Sequence, residues 1–256
     1  MSVKPRKRFG QHFLTDATII ERVIQTINPQ PDQTLIEIGP GLGAITEPLL
    51  KAAGKLIALE LDRDVIPHLR AHCHGLGQLD IINVDVLNYD FKALYQQKKL
   101  HIVGNLPYNI STPLMFHLFK FLDIIQSMHF MLQKEVADRL TAQVNTKQYG
   151  RLSIMAQYHC HITELFDVPP QAFKPAPKVF SSIVELTPRT NLPEKAKDYT
   201  RFELLVREAF NHRRKTLQNS LKGYIDSDDF VKVGIDPKRR AETLTVEEFI
   251  TLANLF

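Results

Sequence analysis

Residues 34–43, Thr-Leu-Ile-Glu-Ile-Gly-Pro-Gly-Leu-Gly, constrain the fold more than any other stretch. A short β-type run ends in a loop with three glycines in five positions, and helical periodicity resumes near residue 44. Strand, glycine turn and helix in this order form the first unit of an alternating pattern. A helix over 44–53 leads to a strand over 55–60 that ends on Glu60. A helix over 62–73 leads to a strand over 80–85 that ends on Asp85. A fourth strand covers 100–103. Ahead of them, residues 15–28 place Ile19, Ile20, Val23, Ile24 and Ile27 on one helical face. Alternation of this kind predicts an α/β fold, Rossmann-like, with a mostly parallel sheet covered on both faces. Ligands of such sheets sit beyond the carboxyl ends of the strands. The glycine loop, Glu60, Asp85 and Asn105 all fall there.

The remainder is less regular. Residues 128–132 and 154–166 read as strands, and the two prolines of residues 187–193 mark a linker. Beyond it the spacing of Phe202, Val206, Phe210, Leu217 and Leu221 predicts a small all-helical domain, with Thr245 and Glu248 as a capping box. The expected division is therefore 1–190 and 191–256. A chain of 256 residues with 44% hydrophobic content can bury a large core. Two cysteines, Cys73 and Cys160, build no disulfide framework and fit a reducing cytoplasm. No apolar run approaches membrane-spanning length, and the basic N-terminus lacks the apolar segment of a secretory signal. Nothing in the sequence requires a second copy of the chain.

The net charge is only +4, but the cations cluster. Residues 1–8 hold four basic residues and no acid, residues 207–222 hold Arg207, Arg213, Arg214, Lys215 and Lys222 against Glu208, and Lys238-Arg239-Arg240 follows. Such clusters neutralise phosphates or stand as solvated faces.

The loop Gly39-Pro-Gly-Leu-Gly-Ala44 fits a dinucleotide fingerprint. It suits a nicotinamide or flavin dinucleotide and S-adenosylmethionine alike, and Glu60 offers either an acceptor for ribose hydroxyls. S-adenosylmethionine adds a use for Asp85, which can accept from an adenine amino group. It also adds a use for Asn105-Leu-Pro-Tyr108, which a dehydrogenase does not need. An exocyclic amino group on a base is a poor nucleophile, because its lone pair is conjugated into the ring. The Asn105 side-chain oxygen and the Leu106 carbonyl can hold its two hydrogens, Pro107 fixes the backbone between them, and Tyr108 offers a stacking face. By itself the motif also reads as a strand-ending turn.

A base inside RNA must be unstacked to reach such a pocket. Phe173-Lys-Pro-Ala-Pro-Lys178 is a rigid cationic loop with an aromatic suited to clamp it; packed inward, Phe173 is instead a core residue. Two His-Cys-His triplets, residues 72–74 and 159–161, suggest zinc at first sight. The second reads as a strand, which turns both histidines away from Cys160, and the usual gap between paired cysteine ligands is absent. No metal is expected.

Taken together these residues resemble the small-subunit (16S) rRNA adenine N6,N6-dimethyltransferases. The resemblance runs over nearly the whole chain, through Lys7-Arg-Phe-Gly-Gln-His-Phe-Leu14, Glu37-Ile-Gly-Pro-Gly-Leu-Gly43, Gly104-Asn-Leu-Pro-Tyr-Asn109, Phe173-Lys-Pro-Ala-Pro-Lys-Val179 and Ala209-Phe-Asn-His-Arg-Arg-Lys-Thr-Leu217. It implies an S-adenosylmethionine-dependent methyltransferase domain plus a small helical domain that binds rRNA. The substrate it implies is two adjacent adenosines in a hairpin near the 3′ end of 16S rRNA, within an assembling small subunit. The implied cofactor residues are His12, Leu14, Gly39, Gly41, Glu60, Asp85 and Asn105, with His12 where the family often has Asn. The implied catalytic set is Asn105, Leu106, Pro107, Tyr108 and Phe173. Expected phosphate contacts are Lys7, Arg8, Lys174, Lys178, Arg207, Arg213, Arg214 and Lys215. Two relatives set the rival expectations: methyltransferases of large-subunit rRNA that confer antibiotic resistance, and nucleic-acid-binding factors that do little catalysis. The Leu106 form of the motif and residues 209–217 favour the small-subunit enzymes, and intact Glu60, Asp85, Asn105 and Tyr108 speak against a purely binding role.

Overall fold

The computed structural model describes residues 12–190, 195–212 and 214–255. Its elements run β1 (Phe13–Leu14), α1 (Ala17–Ile27), β2 (Thr34–Ile38), α2 (Thr46–Ala53), β3 (Lys55–Glu60), α3 (Ile66–His72), β4 (Gln78–Asn83), β5 (Leu100–Asn105) and α4 (Ser111–Leu118). They continue with β6 (Ile125–Gln133), α5 (Lys134–Leu140), α6 (Arg151–His159), β7 (Cys160–Val168), β8 (Phe173–Lys174), β9 (Ser181–Pro188), α7 (Tyr199–Asn211), α8 (Leu217–Ser220), α9 (Ser227–Lys232) and α10 (Val246–Ala253). The chain forms two compact units. One runs to Ala137 and resumes over Thr163–Pro188; the other takes Asp138–Ile162 and the chain from Arg189 onward.

In the first unit the sheet order is β4-β3-β2-β5-β6-β9-β7. The pairs β4–β3, β3–β2, β2–β5 and β5–β6 are parallel, and β6–β9 is antiparallel. The chain winds outward from β2 to β4, then returns to place β5 on the other side of β2. The order therefore reverses between β2 and β5, and a crevice opens there beyond the strand ends. Alternate residues of the strands explain the layers. Leu35, Leu56, Ala58, Val103, Met131 and Ile183 pack with Val23, Leu49, Leu50 and Leu69 from α1, α2 and α3 in one apolar cluster. Ile36, Ile38, Ile102 and Phe130 are buried as well, so the central strands are apolar on both sides.

Three local expectations shift. The third strand ends at Asn83 instead of Asp85, because the Asp85 side chain accepts from Leu87 N–H and starts a 3-10 turn over Val86–Asn88. The fourth strand extends to Asn105 through its pairing with β6. Residues 154–159 are helix, not strand. Gly150 N–H donates to Ser153 Oγ at 3.0 Å and starts α6. Leu152, Ile154, Met155, Ala156 and Tyr158 are all buried, so the helix shows an apolar run instead of an amphipathic period.

The second unit is helical from Tyr199 on, and Phe202, Val206, Leu217 and Leu221 are buried in it as their spacing predicts. The expected capping box holds: Thr245 N–H donates to Glu248 Oε2 at 2.8 Å and Glu248 N–H to Thr245 Oγ1 at 3.2 Å. Arg239, in a cluster that reads as either phosphate-binding or a solvated face, is neither. Its guanidinium grips Glu248 through Nη1–Oε1 at 2.5 Å and Nη2–Oε2 at 3.0 Å, and Nη2 also donates to Thr243 O. It is a staple between the capping box and the preceding turn. Among the described residues no helix is long and apolar enough to cross a membrane.

Candidate active site

The crevice at the switch point is a cavity of about 500 Å³. Its floor is the glycine loop. Gly39 and Gly41 have φ of +66° and +55°, a region that side chains disfavour, and a Cβ on Gly41 would stand 3.2 Å from the Phe13 ring. The loop is fastened from the next strand. Glu60 Oε2 accepts from Gly41 N–H at 3.1 Å and Oε1 from Asp62 N–H at 2.8 Å. Burial raises the Glu60 carboxyl above its ordinary range, and these two N–H groups oppose the rise. Asp85 lines the same cavity with Oδ1 on Leu87 N–H and Oδ2 on Asn88 Nδ2, both at 3.0 Å. Each carboxylate oxygen keeps a second lone pair for a ligand.

Sequence reasoning gives Glu37 no role, yet it lines the cavity and is 1% exposed. Burial pushes its carboxyl up to about 8, the Thr46 hydroxyl works against the rise, and the nearby Glu60 charge adds to it. Its Oε2 is buried without a hydrogen-bond partner. The signal was present: an acid inside a strand whose neighbours are apolar on both faces. Leu61, half exposed at the rim, carried no such signal.

The segment after β5 also lines the cavity. Asn105 Nδ2 donates to His12 O at 3.3 Å, which assigns the nitrogen end of the amide and leaves Oδ1 as its acceptor. Leu106 N–H bonds Met131 O at 3.1 Å, and Ile110 N–H closes a turn on Pro107 O at 3.1 Å. The Tyr108 ring stacks on His12 with centroids 5.5 Å apart and planes 28° apart. Its hydroxyl is buried without a full hydrogen bond, with Ser181 as the polar group that influences it, and burial raises the phenol. His12 also places Nδ1 2.7 Å from Pro175 O, which ties the 174–180 loop to the Asn105 wall.

Leu14 and Phe173 pair across β1 and β8. Both are buried and both line the cavity, Phe173 at 3% exposure within the apolar cluster. Lys174 and Lys178 are exposed on the loop beyond. In the helical unit Arg207, Arg214 and Lys215 are exposed, and Arg207 Nε is held by Glu208 at 3.0 Å. Lys7, Arg8 and Arg213 lie outside the described residues.

The His-Cys-His triplets do not converge on an ion site. His72 Nε2 meets Glu47 Oε2 at 2.8 Å. His159 ends α6 instead of lying in a strand; burial lowers its imidazole to about 4, and Nε2 sits 2.9 Å from Tyr199 Oη. Cys73 and Cys160 are buried, with thiols raised to about 11 and about 12. Among the described residues no three His, Cys, Asp or Glu side chains group as metal ligands.

A glycine cradle, Glu60 at one strand end and Asp85 just past the next, a buried unpaired carboxyl oxygen and an oriented amide acceptor fit a nucleoside cofactor and an amino group. The comparisons agree in kind. The family profile described as "Ribosomal RNA adenine dimethylase" matches residues 2–256. The chain belongs to the ribosomal RNA adenine dimethylase family. Among its relatives is the "Ribosomal RNA small subunit methyltransferase A" of Shewanella denitrificans, 52% identical over 251 residues, covering 98% of this chain and 94% of the relative. The protein of the same description from Vibrio cholerae is 51% identical over 252 residues, covering 98% and 93%. Among solved structures, a dimethyladenosine transferase from Plasmodium falciparum superposes with a TM-score of 0.79 at 25% identity, covering 94% of this chain and 96% of that one. The 23S rRNA methyltransferase ErmE shares the fold, with a TM-score of 0.72 at 24% identity over 94% of this chain and 98% of that one. In this dimethylase the Asn105 segment and the glycine loop line one cavity as neighbours, with a Cβ on Gly39 standing 4.0 Å from Asn105 O.

Proposed function

We propose that the chain transfers methyl groups from S-adenosylmethionine to the N6 amino groups of two adjacent adenosines in the 3′-terminal hairpin of 16S rRNA, on a small subunit still being assembled. The Asn105 amide carries this reading. His12 O takes its nitrogen end, so its oxygen is left as a fixed acceptor in the cavity that Glu60 also lines.

When bound, S-adenosylmethionine supplies an electrophilic methyl group. Glu60 and Asp85 hold its ribose hydroxyls and adenine amino group, while Gly39, Gly41, His12 and Leu14 shape its bed. Glu37, buried beneath and held mostly protonated at neutral pH, lines the same cavity with one unpaired carboxyl oxygen and no net charge. Asn105 Oδ1 and the Leu106 carbonyl accept the two hydrogens of the adenine amino group. This draws the nitrogen out of conjugation and aims its lone pair. In the second round one N–H remains, and one acceptor holds it. Pro107 fixes the peptide between the acceptors. Tyr108, backed on one face by His12, gives the base its other face. Phe173 closes the wall from below. No strong base is required, since the nitrogen becomes acidic as it is methylated and releases its proton to water.

Residues 1–190, apart from the Asp138–Ile162 segment that belongs to the helical unit, act as the methyl-transferring domain and 191–256 as the rRNA-binding one. Lys7, Arg8, Lys174, Lys178, Arg207, Arg213, Arg214 and Lys215 take phosphates. The enzyme works in the cytoplasm as a monomer.

The deciding test is methylation of small subunits lacking the modification, with large subunits in parallel and mass spectrometry of the digested RNA. The reading requires N6,N6-dimethyladenosine in small-subunit RNA alone. Product only in large subunits, or tight subunit binding without product, overturns it.

A further inference from the structure

The 174–180 loop ends on two exposed apolar side chains, Val179 at 43% and Phe180 at 51% exposure. A single exposed apolar residue is ordinary. An aromatic ring held out beside a reaction site, on a cationic loop, is not accounted for by packing. Its place is well fixed. The Phe180 carbonyl accepts from Lys134 N–H at 2.9 Å, so the ring projects from a pinned backbone. The next residue, Ser181, pairs with Gln133 on β6 and faces the Tyr108 hydroxyl. Two positions earlier on β6, Met131 pairs with Asn105. Phe180 therefore stands at the same end of β6 and β9 as Asn105 and Tyr108, outside the cavity lining. The exposed Lys174 and Lys178 share its loop, and Pro175 anchors that loop to His12.

We infer that Phe180 is a stacking platform for the unpaired nucleobase next to the adenine in the pocket, with Lys174 and Lys178 on the flanking phosphates. The inference rests on rRNA adenine as the substrate. Withdrawing one base from a strand strips its neighbour of a stacking partner, and an exposed aromatic ring restores that contact whatever the base. The lysines decide the kind of occupant: two cations beside an apolar ring match a polyanion that carries flat apolar groups, and not an apolar protein face. Phe180 is then a positioning residue, which sets how the strand enters without touching the reacting nitrogen.

The test uses full-length Phe180→Ala and Phe180→Tyr. It reads kcat and KM on unmodified small subunits, cofactor affinity by calorimetry, and the fluorescence of a hairpin with 2-aminopurine beside the target. Phe180→Ala should raise KM about tenfold, the loss of one base–ring stack, with cofactor affinity unchanged. It should also abolish the quenching that the unmutated protein causes, and Phe180→Tyr should restore both. An alanine variant with unaltered KM and full quenching overturns the inference. So does a KM rise that keeps the quenching, which assigns the ring to a protein contact. If the unmutated enzyme dimethylates the RNA in either case, the substrate reading stands and only the platform falls; if it makes no product, both fall.

Discussion

The His12 carbonyl oxygen accepts a hydrogen bond from Asn105 Nδ2 at 3.3 Å, and this contact decides which end of the amide meets a substrate. Asn105→Ala removes the oriented acceptor and leaves the cationic surface intact. Loss of one preorganised polar group at a reacting centre costs about 10²–10³-fold in rate. Single-turnover methylation should fall by that order, while RNA affinity in a filter-binding titration stays within about twofold. A variant rate near that of the parent removes Asn105 from the chemistry.

Glu60 has two duties, since its oxygens bind Gly41 and Asp62 N–H groups and face the cavity. Glu60→Gln keeps one acceptor for the loop but loses the charge. A hydrogen bond to a charged group contributes about 1.5–3 kcal/mol, so cofactor affinity in calorimetry should drop roughly tenfold or more while the fold persists. Glu60→Ala should lower the melting temperature as well. Equal affinities for the parent and both variants would falsify the ribose contact.

Glu37 gives stability a pH dependence of fixed sign. Its carboxyl titrates near 8 when folded and near 4.5 when unfolded. Between those values the folded chain holds the extra proton, so this contribution is full below about 4.5 and is lost as pH rises through about 8. The slope is at most about 1.4 kcal/mol per pH unit. Melting temperatures between pH 5 and 9 should fall more steeply for the parent than for Glu37→Gln. Parallel curves refute the shifted carboxyl.

What the sequence made legible follows from range. The glycine loop and Glu60 are encoded by neighbours a few residues apart, and they appear where the pattern puts them. The capping box of Thr245 and Glu248 is equally local. The role of His12 is not: its partners Asn105, Tyr108 and Pro175 lie far along the chain, with Pro175 163 residues away. Glu37 was visible as an acid in an apolar strand, but its burial depends on three strands and a helix coming together. Helix α6 reads as a strand in the sequence because tertiary packing covers it on every side and erases the amphipathic period.

Charge alone also misplaces Arg239, and the contrast with Arg214 and Lys215 makes a paired prediction. Arg239 closes a bidentate ion pair with Glu248 and a bond to Thr243 O, at about a third of full exposure. Arg239→Ala should destabilise the helical unit by about 1–3 kcal/mol, seen as a lower unfolding midpoint in urea. Arg214 and Lys215 are exposed. Replacing both with Ala should leave that midpoint unchanged and reduce the slope of log affinity against log salt by about one per lost phosphate contact. The two variants therefore separate a cation that holds the fold from cations that hold RNA. If Arg239→Ala flattens the salt slope at constant stability, or if the double variant lowers stability at constant slope, the assignments are reversed.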